Sequence, residues 1–156
     1  MAFTFNPHSG HEVILASFIA TTTAQLWKII WFTVRHRRLN FRIIFHTGGM
    51  PSSHSACMTA MATSVGLISG WDSTIFAVAL ALACVVMYDA AGVRQAAGKM
   101  AGILNRLTED LYKHQPDHLP ERLRELLGHT PREVLVGCLW GITVSLWLGV
   151  YFKQTG

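Results

Sequence analysis

Four stretches of the chain are apolar for long enough to cross a bilayer, which takes about 20 residues. They run from about Val13 to Val34, Pro51 to Gly70, Thr74 to Ala91 and Val134 to Phe152, and hold only Lys28 and Asp89 as formal charges. A soluble core rarely supplies four such runs in 156 residues, so the pattern predicts a membrane protein with four transmembrane helices. Between Gly92 and Lys113 the pattern changes. Val93, Ala96, Ala97, Met100, Ile103, Leu104, Leu107 and Leu111 recur at helical spacing, interspersed with Arg94, Lys99, Arg106, Glu109, Asp110 and Lys113. This is an amphipathic helix suited to the cytoplasmic membrane interface. His114 to Pro120 carries two prolines and reads as a turn, and the residues up to Leu127 allow one or two further helical turns. The expected fold is all-α: a polytopic helical bundle forming a single integral membrane domain over residues 1–156.

Composition agrees. Apolar residues make up 51% of the chain and charged residues 14%, against about 25% charged in a soluble domain. A disordered tail, a collagen-like chain and a typical cytosolic enzyme are excluded. Cys57, Cys84 and Cys138 lie within apolar runs and read as small hydrophobes, neither a disulfide framework nor a zinc site. The start, Met1 to His8, lacks a basic region of the signal-peptide kind, so no cleaved leader is expected.

The placement of charge sets the orientation. Arg35, Arg37, Arg38 and Arg42 lie between the first two spans. Arg94, Lys99, Arg106, Lys113, Arg122, Arg124 and Arg132 lie between the last two. With four spans both loops fall on one side, and the other side holds only Lys153 with Glu12 and Asp72. The positive-inside rule puts both basic loops in the cytoplasm, and both termini and the short turn near Gly70-Trp71-Asp72 outside.

Three polar clusters then meet at the cytoplasmic ends of the spans: Gly48 to Ser55, Asp89 to Arg94, and Gly128 to Glu133. Lys28 and Arg35 end the first span at the same level. Ionisable groups at membrane depth are costly and usually line a site. Gly-Gly-Met-Pro-Ser-Ser-His is a glycine-containing loop entering a helix with Pro51 near its first position, a setting whose amides and serine hydroxyls favour an anion. His54 stands beside it as a proton donor. His129 and Glu133, four apart, face the same way if a helix begins at His129 or just before. That pairing suits a histidine nucleophile. Lys28, Arg35 and Arg94 can neutralise a phosphate and the charge that builds on it. Plainer readings stand beside these. Pro-Ser-Ser-His also suits a simple helix cap, His129 an interfacial histidine, and Arg35, Arg37 and Arg38 topology determinants. Asp89 suits an ion pair with Arg94 or Lys28 as well as a catalytic role. The other six histidines show no ligand spacing.

Together these residues resemble the phosphatidic-acid-phosphatase type 2 superfamily, which includes the vanadium-dependent haloperoxidases. That family's pattern is Lys-x6-Arg-Pro, then Pro-Ser-Gly-His, then Ser-Arg-x5-His-x3-Asp. Lys28 and Arg35 keep the first spacing, with His36 for the proline. Pro51-Ser52-Ser53-His54 matches the second motif with serine for glycine, and His129-x3-Glu133 closes the third with glutamate for aspartate. Leu123 stands where the third-motif arginine belongs; Arg124 is one residue off, and Arg94 can supply the charge from the third span. The strings Gly-Gly-Met-Pro-Ser-Ser-His-Ser-Ala, Tyr-Asp-Ala-Ala-Gly-Val-Arg and Leu-Leu-Gly-His-Thr-Pro are similar to a small divergent branch of acid phosphatase/vanadium-dependent haloperoxidase-related membrane proteins.

The resemblance implies a lipid phosphatase. Lys28, Ser52, Ser53 and Arg94 or Arg35 would hold phosphate, His129 would attack phosphorus, His54 would protonate the leaving oxygen, and Glu133 would orient His129. No metal or cofactor enters that scheme. The expected partners are a membrane lipid phosphate or diphosphate and the bilayer itself, with no nucleic acid; a homodimer is compatible with so thin a bundle. Two other readings remain open from sequence: a Mg²⁺-dependent lipid phosphatase using Asp89 and Glu133, with Asp110 as a further ligand, and a non-catalytic lipid-phosphate-binding protein.

Overall fold

A computed structural model describes residues 8–37, 49–113, 123 and 128–155, and every described element is helical. The helices are α1 (Gly10–His36), α2 (Ser53–Ser69), α3 (Thr74–Ala91), α4 (Val93–Leu111) and α5 (Pro131–Thr155). Three helical segments are long and apolar enough to span a membrane: Gly10–Arg35, Thr74–Leu111 and Pro131–Gln154. The second expected span, α2, has 17 residues and falls short of that length. Its residues explain its place: it is built of Ser, Ala, Thr and Gly and lies in the middle, packed by α1, α3 and α5. The expected turn at 114–120 and the helical turns after it lie outside the described residues, Leu123 apart, as do Arg38, Arg42, Arg122 and Arg124.

The bundle is inverted relative to a water-soluble core. Large apolar side chains point outward: Ile14, Phe18, Trp31, Val78, Val85, Leu135 and Trp147 are all exposed. Small residues fill the inside. On α1 every fourth residue from Ala16 through Ala20 and Ala24 to Lys28 is buried. On α5 the matching stripe is Gly137, Gly141 and Ser145. In a bilayer, lipid is as apolar as leucine, so helices associate by close backbone approach and buried hydrogen bonds instead. Both devices occur here. A Cβ on Gly137 would collide with the Ser52 carbonyl, and one on Gly141 with the Ala56 carbonyl and Thr59 Oγ1. Ser145 Oγ donates to the Ala60 carbonyl at 2.7 Å and lies 3.1 Å from Ser64 Oγ. Thr59 Oγ1 donates to the Cys138 carbonyl at 3.1 Å, and Trp140 Nε1 to Thr23 Oγ1 at 3.0 Å. Gly141→Ala is therefore expected to cost about 1–3 kcal/mol of stability through overpacking. Thermal unfolding in detergent would measure it, and an unchanged midpoint would mean that α2 and α5 separate easily.

The amphipathic segment forms α4 at nearly the expected bounds. It follows α3 after a break at Gly92, whose N–H still donates to the Tyr88 carbonyl at 2.8 Å. Met100, Ile103, Leu107 and Leu111 are exposed along it, while Gly98 and Asn105 are buried.

Candidate active site

The site forms where the first turns of α2 and α5 meet the end of α3 and the beginning of α4. The starts of α2 and α5 are tied directly: the Ser52 N–H donates to the Glu133 carbonyl at 3.0 Å. His129 is tied to α3, its own N–H donating to the Ala90 carbonyl at 3.1 Å. Gly128 rests on the first turn of α4, so closely that a Cβ there would strike the backbone of Arg94 and Gln95. Glycine is required here by space, not by dihedral freedom.

His129 and Glu133 do meet, but by a different route from two turns of one helix. α5 begins at Pro131, so His129 lies ahead of it. Proline at the first helical position is well tolerated. Glu133 is the third helical residue and reaches back to accept from the Thr130 N–H at 3.2 Å, while its own N–H donates to Thr130 Oγ1 at 3.4 Å. This is a capping box, and its carboxylate is also 3.0 Å from His129 Nδ1. With Nδ1–H donated to the carboxylate, the imidazole lone pair lies on Nε2. His129 is 3% exposed. Burial holds its pKa below the ordinary value of 6.5, with Lys28 and Arg94 pushing the same way against the Glu133 hydrogen bond and charge. The ring is thus neutral at pH 7.

His54 is exposed on the first turn of α2, and its ring centroid lies 6.2 Å from that of His129. The two imidazoles line one cleft with Val86, Asp89, Ala90, Arg94 and Gly128, enclosing about 30 Å³. Room on that scale holds a water or two; a larger group enters from the open side. Arg94 Nε donates to Asp89 Oδ2 at 2.7 Å, which realises the ion pair that the sequence offered as one role for Asp89. The bond holds the guanidinium by its Nε at the lining of the cleft.

The remaining expected residues divide. Lys28 is 4% exposed and within electrostatic reach of both histidines. It has no hydrogen-bond or ion-pair partner among the described residues, and its methylenes run beneath Gly49. Ser52 is the cap of α2: its Oγ accepts from the Ser55 N–H at 3.3 Å and from Ser55 Oγ at 3.0 Å, and it is wholly buried. Pro51 precedes that cap, so the first helical residue is Ser53, not proline. Ser53 is buried, and no described group accepts from its N–H or from that of His54. Arg35 is exposed two turns beyond Lys28, about 10 Å further along α1, and no described contact links it to the cluster. No three His, Cys, Asp or Glu side chains converge as a metal site among the described residues.

A sequence model described as "Divergent PAP2 family" matches residues 9–144. The chain belongs to the Divergent PAP2 family. It is 40% identical over 149 residues to "Uncharacterized membrane protein YuiD" of Bacillus subtilis (strain 168), covering 89% of this chain and 94% of that protein. No solved structure matches it. The match spans every element that builds the cleft. One contact outside the cleft escaped the sequence reading of this divergent PAP2 protein. Asn105 of α4 grips Leu123, the residue at the place of the family arginine, by both edges: Nδ2 donates to its carbonyl and Oδ1 accepts its N–H, each at 2.9 Å. The available signal was a single asparagine in the otherwise apolar or charged run from Lys99 to Leu107.

Proposed function

We propose that this protein is a phosphohydrolase of the bacterial inner membrane, removing phosphate from a lipid phosphate or diphosphate through a phosphohistidine. The observation that carries the reading is the convergence of two imidazoles from separate elements, with ring centroids 6.2 Å apart, beside Arg94 and a buried Lys28 that makes no hydrogen bond or ion pair among the described residues. An oxyanion between them would accept from both cations and from the Ser53 and His54 amides, which no described group occupies.

His129 Nε2 attacks phosphorus while Glu133 holds the proton on Nδ1 and stabilises the developing imidazolium. The bond from phosphorus to the leaving oxygen breaks, and protonated His54 gives that oxygen its proton. Neutral His54 then takes a proton from water, which attacks phosphorus, releases phosphate and restores His129. Lys28, Arg94 and the Ser53 and His54 amides hold the equatorial oxygens. Ser52 serves indirectly, by fixing the helix start that aims those amides. The scheme calls for no metal. Purified protein is expected to release phosphate from bacterial lipid phosphates, to keep that activity in EDTA and to lose it to vanadate. Loss in EDTA with recovery in Mg²⁺ would favour the metal-dependent route instead.

In this reading α2 is the fourth crossing, sheathed by the other three helices, and α4 lies along the cytoplasmic interface. The basic loops, and with them the cleft, face the cytoplasm, with both termini outside. Lys99→Cys in intact cells should resist a membrane-impermeant maleimide until the membrane is opened. Labelling without permeabilisation would put the cleft outside.

A further inference from the structure

A second cavity, about 330 Å³, lies between α3 and α5 with α2 as its floor. Leu80, Ala83 and Met87 line it from α3, and Ile142 from α5. On the floor, the Thr59 hydroxyl is turned away to the backbone, its one hydrogen shared between the Ser55 and Cys138 carbonyls. Two features make this more than an uncovered apolar face. Ala83 and Met87 of the groove and Ala90 of the cleft follow one another at spacings of four and three along one face of α3, so the two cavities adjoin along that face. The far end is stopped by Trp71 and Phe76, whose rings meet edge to face with centroids 5.0 Å apart. Trp71 can lie there because Gly66 beneath it has no side chain.

We propose that this groove holds the alkyl chain of the substrate whose phosphate occupies the cleft, and that Trp71 and Phe76 set the chain length it accepts. The proposal rests on the reading of the cleft as a phosphate site. Phe76 to Asp89 is about 20 Å of helix, which matches an extended chain of roughly fifteen carbons at tetrahedral carbon geometry. A bilayer-soluble chain gains little from leaving lipid for an apolar groove. Its selection therefore comes from the tether to the bound phosphate and from the stop at the end. A single chain fits this groove; a second chain of a diacyl lipid would remain in the bilayer.

The test has a binding arm and a turnover arm. Hexadecyl phosphate with a diazirine near the chain end is photolysed with the His129→Ala variant, which binds without turnover, and the labelled peptides are mapped. Label is expected on the segments carrying Leu80, Phe76 and Ile142, competed by unlabelled hexadecyl phosphate and not by hexadecanol. In turnover, Leu80→Trp, at a half-exposed position that tolerates the ring, should lower kcat/KM for hexadecyl phosphate by about tenfold more than for hexyl phosphate. Trp71→Ala should move the preferred length beyond sixteen carbons. Label spread over the outward faces of all helices, or an equal loss at every chain length, overturns the groove. Label between two copies of the chain would give the groove to a dimer and overturn it too. If the wild type releases no phosphate while the label still maps to the groove, the phosphohydrolase reading falls and the groove stands.

Discussion

His129→Ala should abolish phosphate release, by about 10⁴-fold or more, because no other group can form the covalent intermediate. The loss should appear in kcat, with lipid-phosphate binding retained through Lys28 and Arg94. The wild type should yield an acid-labile, base-stable phosphoenzyme, and the variant none. The pH dependence follows from the buried ring. His129 is neutral above its lowered pKa and attacks; as pH falls through that value it becomes imidazolium and the rate falls. The acid limb of kcat/KM should therefore lie below pH 6.5, the unshifted value. Glu133→Gln removes the interactions that oppose the shift, so it should move that limb to still lower pH while lowering the maximal rate. A limb that stays in place would mean that Glu133 only caps α5. Phosphate release that survives in His129→Ala would overturn the phosphohistidine.

His54→Ala is the second large effect, and its size should depend on the leaving group. For a lipid alkoxide, a poor leaving group, loss of the proton donor should cost about 10²–10⁴-fold. For p-nitrophenyl phosphate, whose phenolate departs without protonation, the first step should be nearly spared. The second step still needs His54 as base, so the phosphoenzyme should accumulate as a burst. His54 is exposed and its side chain makes no hydrogen bond among the described residues, so the variant should fold normally. Equal losses on both substrates, with no burst, would remove His54 from proton transfer and leave it as an anion contact.

These two experiments separate the imidazoles because the fold gives them different surroundings. His129 is held by two bonds, its N–H to the Ala90 carbonyl and its ring to Glu133, and Glu133 is itself tied to α2 through the Ser52 N–H. His54 is exposed at the cleft, its side chain held by no hydrogen bond among the described residues. In the proposed reaction the firmly held ring would be the one aimed at phosphorus and the exposed one would meet the departing oxygen.

Much of this was legible in the chain itself. Long apolar runs, a switch to amphipathic spacing at Gly92 and Arg-rich segments follow from hydropathy and charge, which are local properties. Thr130-Pro131-Arg132-Glu133 also carried its capping box in plain view, since cap chemistry is decided within four residues. Other features were hidden because they depend on contacts between distant segments. α2 reads as an ordinary span by composition, yet its small residues make it the shared floor of three neighbours. Asp89 could have paired with Lys28 or Arg94, and the break between α3 and α4 decided for Arg94. Ser52 could have faced phosphate or the helix, and burial made it a cap. Lys28 and Arg35 share a motif, but two turns of helix set them about 10 Å apart. The sequence determined which chemistry was present and the end of the helices on which it lies, because periodicity and charge act along the chain. The tertiary structure decided which of those groups share one cleft, because close approach of α2 and α5 is governed by glycines and serines whose lack of bulk matters only once another helix is against them.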